Sequence, residues 1–116
     1  MTTWEEVVRL SSGLPGVEES TSYRTPALKV AGKLFARLRE EAEGGLMLVC
    51  SMEEKEALLA SGDPAFYTTP HYDGYASILV DLDKVGREQL VELLEEAWRA
   101  KAPAKVLKER SAEPNP

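Results

Sequence analysis

A chain of 116 residues with 43% hydrophobic and 29% charged residues is long enough to bury one core without metal or disulfide staples. A single cysteine excludes an intramolecular disulfide and suits a reducing compartment. With no apolar signal core at the start and no run near the ~18 apolar residues of a membrane span, a cytoplasmic protein with no membrane partner is expected. The net charge of −6 weighs against a broadly basic nucleic-acid binder, although residues 20–39 hold Arg24, Lys29, Lys33, Arg37 and Arg39 and no acid.

The first element reads as a helix. Thr3 can cap it, Glu6 three residues later completes a capping box, and Trp4, Val7, Val8 and Ser11 share one face. "GLPG" at 13–16 ends it. "VEESTSY" is polar and suits an edge strand.

"ALKVAGKLFARLR", residues 27–39, alternates apolar and basic positions around Gly32 and is expected to form a β-hairpin. A three-residue loop, Val30-Ala31-Gly32, pairs Leu28 with Leu34 and Lys29 with Lys33. It sends Leu28, Leu34, Ala36 and Leu38 to the core and puts Lys29, Lys33, Phe35, Arg37 and Arg39 on the other face. A two-residue loop would pair Lys33 with Val30 and mix the faces, so the first register is preferred.

"EEAEGG" at 40–45 reads as an acidic loop. "LMLVC" at 46–50 reads as a strand covered on both sides, with Cys50 a buried, inert thiol. Ser51 and Glu54 form a second capping box, opening a helix whose apolar side is Leu58 and Leu59 and which "SGDP" ends. "AFYTTPHYDGY" reads as a short strand and a turn, and "ASILVDL" as another strand. In "REQLVELLEEAWRA", Leu90, Leu93, Leu94, Ala97 and Trp98 repeat at helical spacing. Pro103 breaks this helix, and "AKVLKER" adds one more turn. Residues 1–110 are expected to be one domain and 111–116 a flexible tail. The fold class is α+β: a largely antiparallel sheet with helices packed on one face and the other face partly open.

Three stretches together resemble the MmcQ/YjbR family: "LPGVEESTSYRTPALKVAGKLFARL", "EEKEALLASGDPAFYTTPHYDGYASILVDL" and "LLEEAWRAKAPAKVL". The similarity spans roughly residues 3–108. It implies a frataxin/CyaY-like sandwich and a lysine-bearing hairpin, here Lys29 and Lys33, near a histidine loop, here His71 and Tyr72. Family members are commonly labelled double-wing DNA-binding proteins. Another branch often carries a longer, more basic loop of the His-Met-Asn-Lys kind, where this chain has "HYDGY", with Asp73 and no lysine.

The leading expectation is a non-enzymatic DNA-binding module. Lys29, Lys33, Arg37 and Arg39 would meet phosphates and Phe35 would stack on a base or sugar, with binding weak and salt-sensitive. The alternative is a protein-interaction or small-ligand module on the same open face, with His71, Tyr72 and Tyr75 lining a groove. A solvated hairpin face is the plainer reading of the basic residues. His71 is the only histidine. It has Ser77 and Thr69 nearby in sequence but no nucleophile elbow, so no catalytic residue is expected. A His71/Asp73 metal pair lacks further donors. Glu5, Glu6, Glu18, Glu19, Glu40, Glu41 and Glu43 fit helix-dipole and loop roles better than a cation ridge. No cofactor is expected.

Overall fold

The computed structural model describes residues 2–22, 24–40 and 44–111. Helix α1 (Trp4–Ser11) begins where Thr3 Oγ1 accepts from the Glu6 backbone N–H at 3.3 Å, and it buries Val7 and Ser11. Four strands follow: β1 (Val17–Ser22), β2 (Thr25–Val30), β3 (Lys33–Leu38) and β4 (Leu46–Val49). Helix α2 (Met52–Ala60) opens on Ser51, whose Oγ accepts from the Glu54 N–H at 3.0 Å. Two more strands, β5 (Phe66–Tyr67) and β6 (Ser77–Val80), precede the long helix α3 (Arg87–Lys101). Pro103 then separates α3 from α4 (Ala104–Ser111), an eight-residue helix where the sequence suggested one turn. The expected acidic loop lies partly, at 41–43, outside the described residues, as do residues 112–116 of the expected tail.

The six strands form one antiparallel sheet in the order β1-β2-β3-β4-β6-β5. Residues on alternate strand positions separate into two faces. On one face Leu28, Ala36, Leu48 and Ile78 form a cross-strand row, with Leu46, Val80 and Phe66 beside it, and these belong to the core packed under the helices. Helix α3 supplies Leu90, Leu93, Leu94, Ala97 and Trp98 to that core, the five positions its periodicity picks out. Trp98 is fully buried, and its indole N–H donates to the Pro15 carbonyl at 2.9 Å, fastening α3 to the turn after α1. On the other face run Ala27, Arg37, Met47, Leu79 and Tyr67, one from each of β2, β3, β4, β6 and β5. The central strand β4 buries Leu46, Met47 and Leu48, the first and third under the helices and Met47 on the other face. The architecture is the expected α+β one, and among the described residues no helix is long and apolar enough to cross a membrane.

The hairpin register differs from the expected one. Val30 pairs with Lys33 and Lys29 with Leu34, so the loop is the two-residue Ala31-Gly32. The pairing then slips by one, Leu28 facing Ala36, which makes Phe35 the extra residue of a β-bulge. The bulge lets Phe35 and its neighbour Ala36 both enter the core, each fully buried. Burying a phenylalanine is worth roughly 2–3 kcal/mol, whereas holding Ala31 in the left-handed region, φ +50°, costs about 1–2 kcal/mol. Core packing therefore outweighs the simpler turn. Three expectations fall with the old register. Phe35 is not on the basic face, Leu34 is on the open face instead of in the core, and Lys29 and Lys33 sit at positions of opposite parity and point to opposite faces. Helix α2 brings a further correction: Leu59 is exposed, and the residue it buries is Lys55.

Candidate functional site

The open face carries a cavity of about 850 Å³. Strands β3 and β4 supply its floor through Leu34, Met47 and Val49, and β6 adds Ser77 opposite Val49. Arg37, Arg39 and Glu40 line one side, and the loop between β5 and β6 supplies His71, Tyr72, Tyr75 and Ala76, with Lys101 of α3 also on the wall. An apolar floor with a few convergent polar groups is the usual composition of a small-molecule site.

Both arginines are held before any ligand arrives. Arg37 Nη1 donates to Thr25 Oγ1 at 3.1 Å and its Nη2 donates to the Tyr72 hydroxyl at 3.0 Å. Arg39, 9% exposed, donates from Nη1 to the Gly44 carbonyl at 3.2 Å and reaches the Tyr67 hydroxyl at 3.5 Å. Its guanidinium also lies 5.6 Å from the centre of the Tyr72 ring, within cation–π range. Tyr72 therefore joins the two arginines to the loop. His71 meets Tyr72 edge-on at 5.0 Å between ring centres and sits 6.2 Å from the Tyr75 ring. Tyr75 is 61% exposed, an unusual position for a large aromatic ring, and forms part of the cavity mouth.

The loop is compact because its backbone turns on itself. Tyr72 N–H donates to the Thr69 carbonyl at 2.9 Å, Tyr75 N–H to that of Tyr72 at 3.0 Å, and Ser77 N–H to that of Tyr75 at 2.8 Å. Lys55 fixes it from beneath. Its ammonium, on a residue only 2% exposed, donates to the Tyr72 carbonyl and, at 2.8 Å, to the Tyr75 carbonyl. A buried ammonium is tolerated here because carbonyl dipoles replace its water.

The structure gathers Arg37, Arg39, His71, Tyr72 and Tyr75 round one cavity. It excludes Phe35, which would have to leave the core to stack on a ligand, and Lys33, which is exposed at the turn on the helix side of the hairpin. Lys29 is half-buried on the open face, directly across from Glu18 of β1, an opposite-charge neighbour that offsets it. Lys55 was not legible as a site residue: a lysine in an exposed-looking helix carries no sequence signal for carbonyl clasping.

Little here suits nucleophilic or metal chemistry. Cys50 is 5% exposed, and burial, with the nearby Glu54 carboxylate, pushes its thiol up from 9.0 to about 11 despite the opposing pull of Lys55. Among the described residues no hydrogen bond links His71 to Ser77 or Thr69, and no cluster of three metal-ligating side chains occurs. Glu41 and Glu43 of the acidic set lie outside the described residues.

Comparison with known proteins places the chain. Uncharacterized proteins of Mycobacterium tuberculosis (Rv2570, strain H37Rv) and Mycobacterium bovis (Mb2600) are each 30% identical to it over 121 residues, covering 92% of this chain and 94% of theirs. The crystal structure of Deinococcus radiodurans protein DR2400, a DUF419 domain, shares the fold with a TM-score of 0.75 at 21% identity, over 96% of this chain and 89% of that one. The YjbR family model matches residues 12–100, which include the whole sheet and most of α3, and the chain accordingly belongs to the YjbR family.

Proposed function

We propose that this protein is a non-enzymatic binding module whose open sheet face takes an anionic ligand. The observation that carries this reading is the convergence of Arg37 and Arg39 with His71, Tyr72 and Tyr75 around one cavity of about 850 Å³. Guanidinium groups pair with carboxylates and phosphates through planar, charge-assisted hydrogen bonds. The pocket suits this role although the whole chain carries −6, because its lining sets Arg37, Arg39 and Lys101 against the single carboxylate of Glu40. A thermal-shift screen of organic acids, nucleotides and inorganic phosphate tests it. A bound anion should raise the Tm of the native protein, and Arg37→Met should abolish the rise. If every anion leaves Tm unchanged in both proteins, the reading fails.

DNA is the second reading, supported by the exposed Arg24 and Lys33 and by the half-buried Lys29, which pairs with the cavity residue Leu34. With Lys29 and Lys33 on opposite faces, a single strand bending round the hairpin fits better than a flat duplex contact. About four phosphate contacts give a slope of roughly −3 in log affinity against log salt for single strands. A salt series with a short single strand should show that slope, with K29A/K33A removing about half of it. An unchanged slope in the double variant sets DNA at the hairpin aside.

A further inference from the structure

The cavity has a feature that a simple anion would not use. Ser77 is 5% exposed, it lines the cavity, and among the described residues its hydroxyl has no hydrogen-bond partner. Buried hydroxyls are almost always satisfied, because an unmatched one forfeits its hydration. The register puts Ser77 two strands away from Arg37 and two residues further along, a diagonal of about 12 Å between Cα atoms. The long arginine side chain narrows that span, and the surface between is apolar, formed by Met47 and Val49. Tyr72, with the Arg39 guanidinium over its ring, and the exposed Tyr75 line the same cavity.

We infer that the ligand is an aromatic acid: its carboxylate on Arg37 and Arg39, its ring between the Met47–Val49 floor and the tyrosines, and a hydroxyl or amino substituent at the far end paired with Ser77. This rests on the anion-pocket reading above and narrows it. An inorganic anion would leave both the apolar floor and the Ser77 hydroxyl unused. A ring fills the floor, and a substituent opposite the acid group meets the serine once its hydroxyl, itself sealed from water, rotates toward the cavity. Offset or edge-on contact with tyrosine rings adds to the attraction.

The test is a protein-observed NMR titration with five probes: benzoate, 4-hydroxybenzoate, 4-aminobenzoate, cyclohexanecarboxylate and inorganic phosphate. Each is run on the native protein and on Ser77→Ala, which removes an unmatched hydroxyl and should fold normally. In the native protein the hydroxy or amino derivative should bind about five-fold tighter than benzoate, the size of one neutral hydrogen bond. Ser77→Ala should erase that preference, bringing the substituted benzoates to the affinity that the same variant has for benzoate. If phosphate or cyclohexanecarboxylate binds as tightly as the substituted benzoates, the aromatic assignment is overturned while the anion pocket stands. A substituent preference that survives Ser77→Ala overturns the role of Ser77. Failure of all five probes to shift the lining residues overturns the aromatic assignment, and a flat thermal-shift screen beside it overturns the anion pocket as well.

Discussion

The two faces of the sheet are built by different rules. The helix-covered face is apolar from Leu28 to Phe66 and gains its stability from area removed from water. The open face mixes buried apolar residues, Ala27, Met47 and Leu79, with Arg37, Arg39 and Ser77, and holds its two arginines through specific hydrogen bonds. One face tolerates any well-packed hydrophobic set of the right volume, whereas the other depends on particular atoms at particular distances. Function belongs on the second kind of surface, and the first is what keeps it rigid.

Trp98→Ala should produce the largest effect, because it empties the centre of the helix-covered face. Loss of the buried ring and of the bond to Pro15 should cost about 3–5 kcal/mol, read from urea unfolding. Gly45→Ala reaches across to the open face. Gly45 has φ +86°, and a Cβ there would run into the Tyr67 hydroxyl, part of the group around Arg39. About 2 kcal/mol of destabilisation is expected from the left-handed backbone, before the displacement of Tyr67 is added, together with altered chemical shifts at Arg39.

Lys55→Met tests whether the open face depends on polar contacts. It should cost about 1–3 kcal/mol through the unmatched Tyr72 and Tyr75 carbonyls. It should also raise amide exchange across residues 72–77 and weaken anion binding. Equal exchange rates in both proteins would show that the loop holds itself. Cys50 gives a pH test of the covered face. Its folded thiol titrates near 11 against an ordinary 9.0, so between those values the unfolded chain has released a proton the folded one retains. Stability should therefore fall as pH rises from about 9 to about 11, and Cys50→Ala should flatten that decline. The smallest effect is expected at the hairpin: Ala31→Gly relieves a left-handed residue and should stabilise by about 0.5–1 kcal/mol in thermal unfolding, less the entropy glycine adds to the unfolded chain.

Much of the covered face was readable from residues alone. Capping boxes at Thr3 and Ser51 and the spacing of Leu90 to Trp98 are local signals, and local structure followed them. The hairpin misled because alternation assumes one step per residue, and a bulge at Phe35 shifts the parity of Lys33 and Leu34 before it on the same strand. Separating basic from apolar residues looked favourable, yet burying one aromatic ring decided the register. The open site was legible only in parts. Arg37, Arg39, His71, Tyr72 and Tyr75 stood out by type, but only the adjacency of β3, β4 and β6 shows that they share a cavity with Ser77. Lys55 acts through backbone carbonyls, which no side-chain pattern records.

The placement of the aromatic residues gives the molecule two built-in optical reporters. Both tryptophans, Trp4 and Trp98, pack on the helix side, while Tyr67, Tyr72 and Tyr75 all belong to the open side. Near-ultraviolet bands of indole thus record the core and those of phenol record chiefly the cavity. A ligand entering that cavity should perturb the phenol bands and leave indole emission nearly still, whereas a loosening core should do the reverse. Occupancy and integrity can thereby be followed separately in one unlabelled sample.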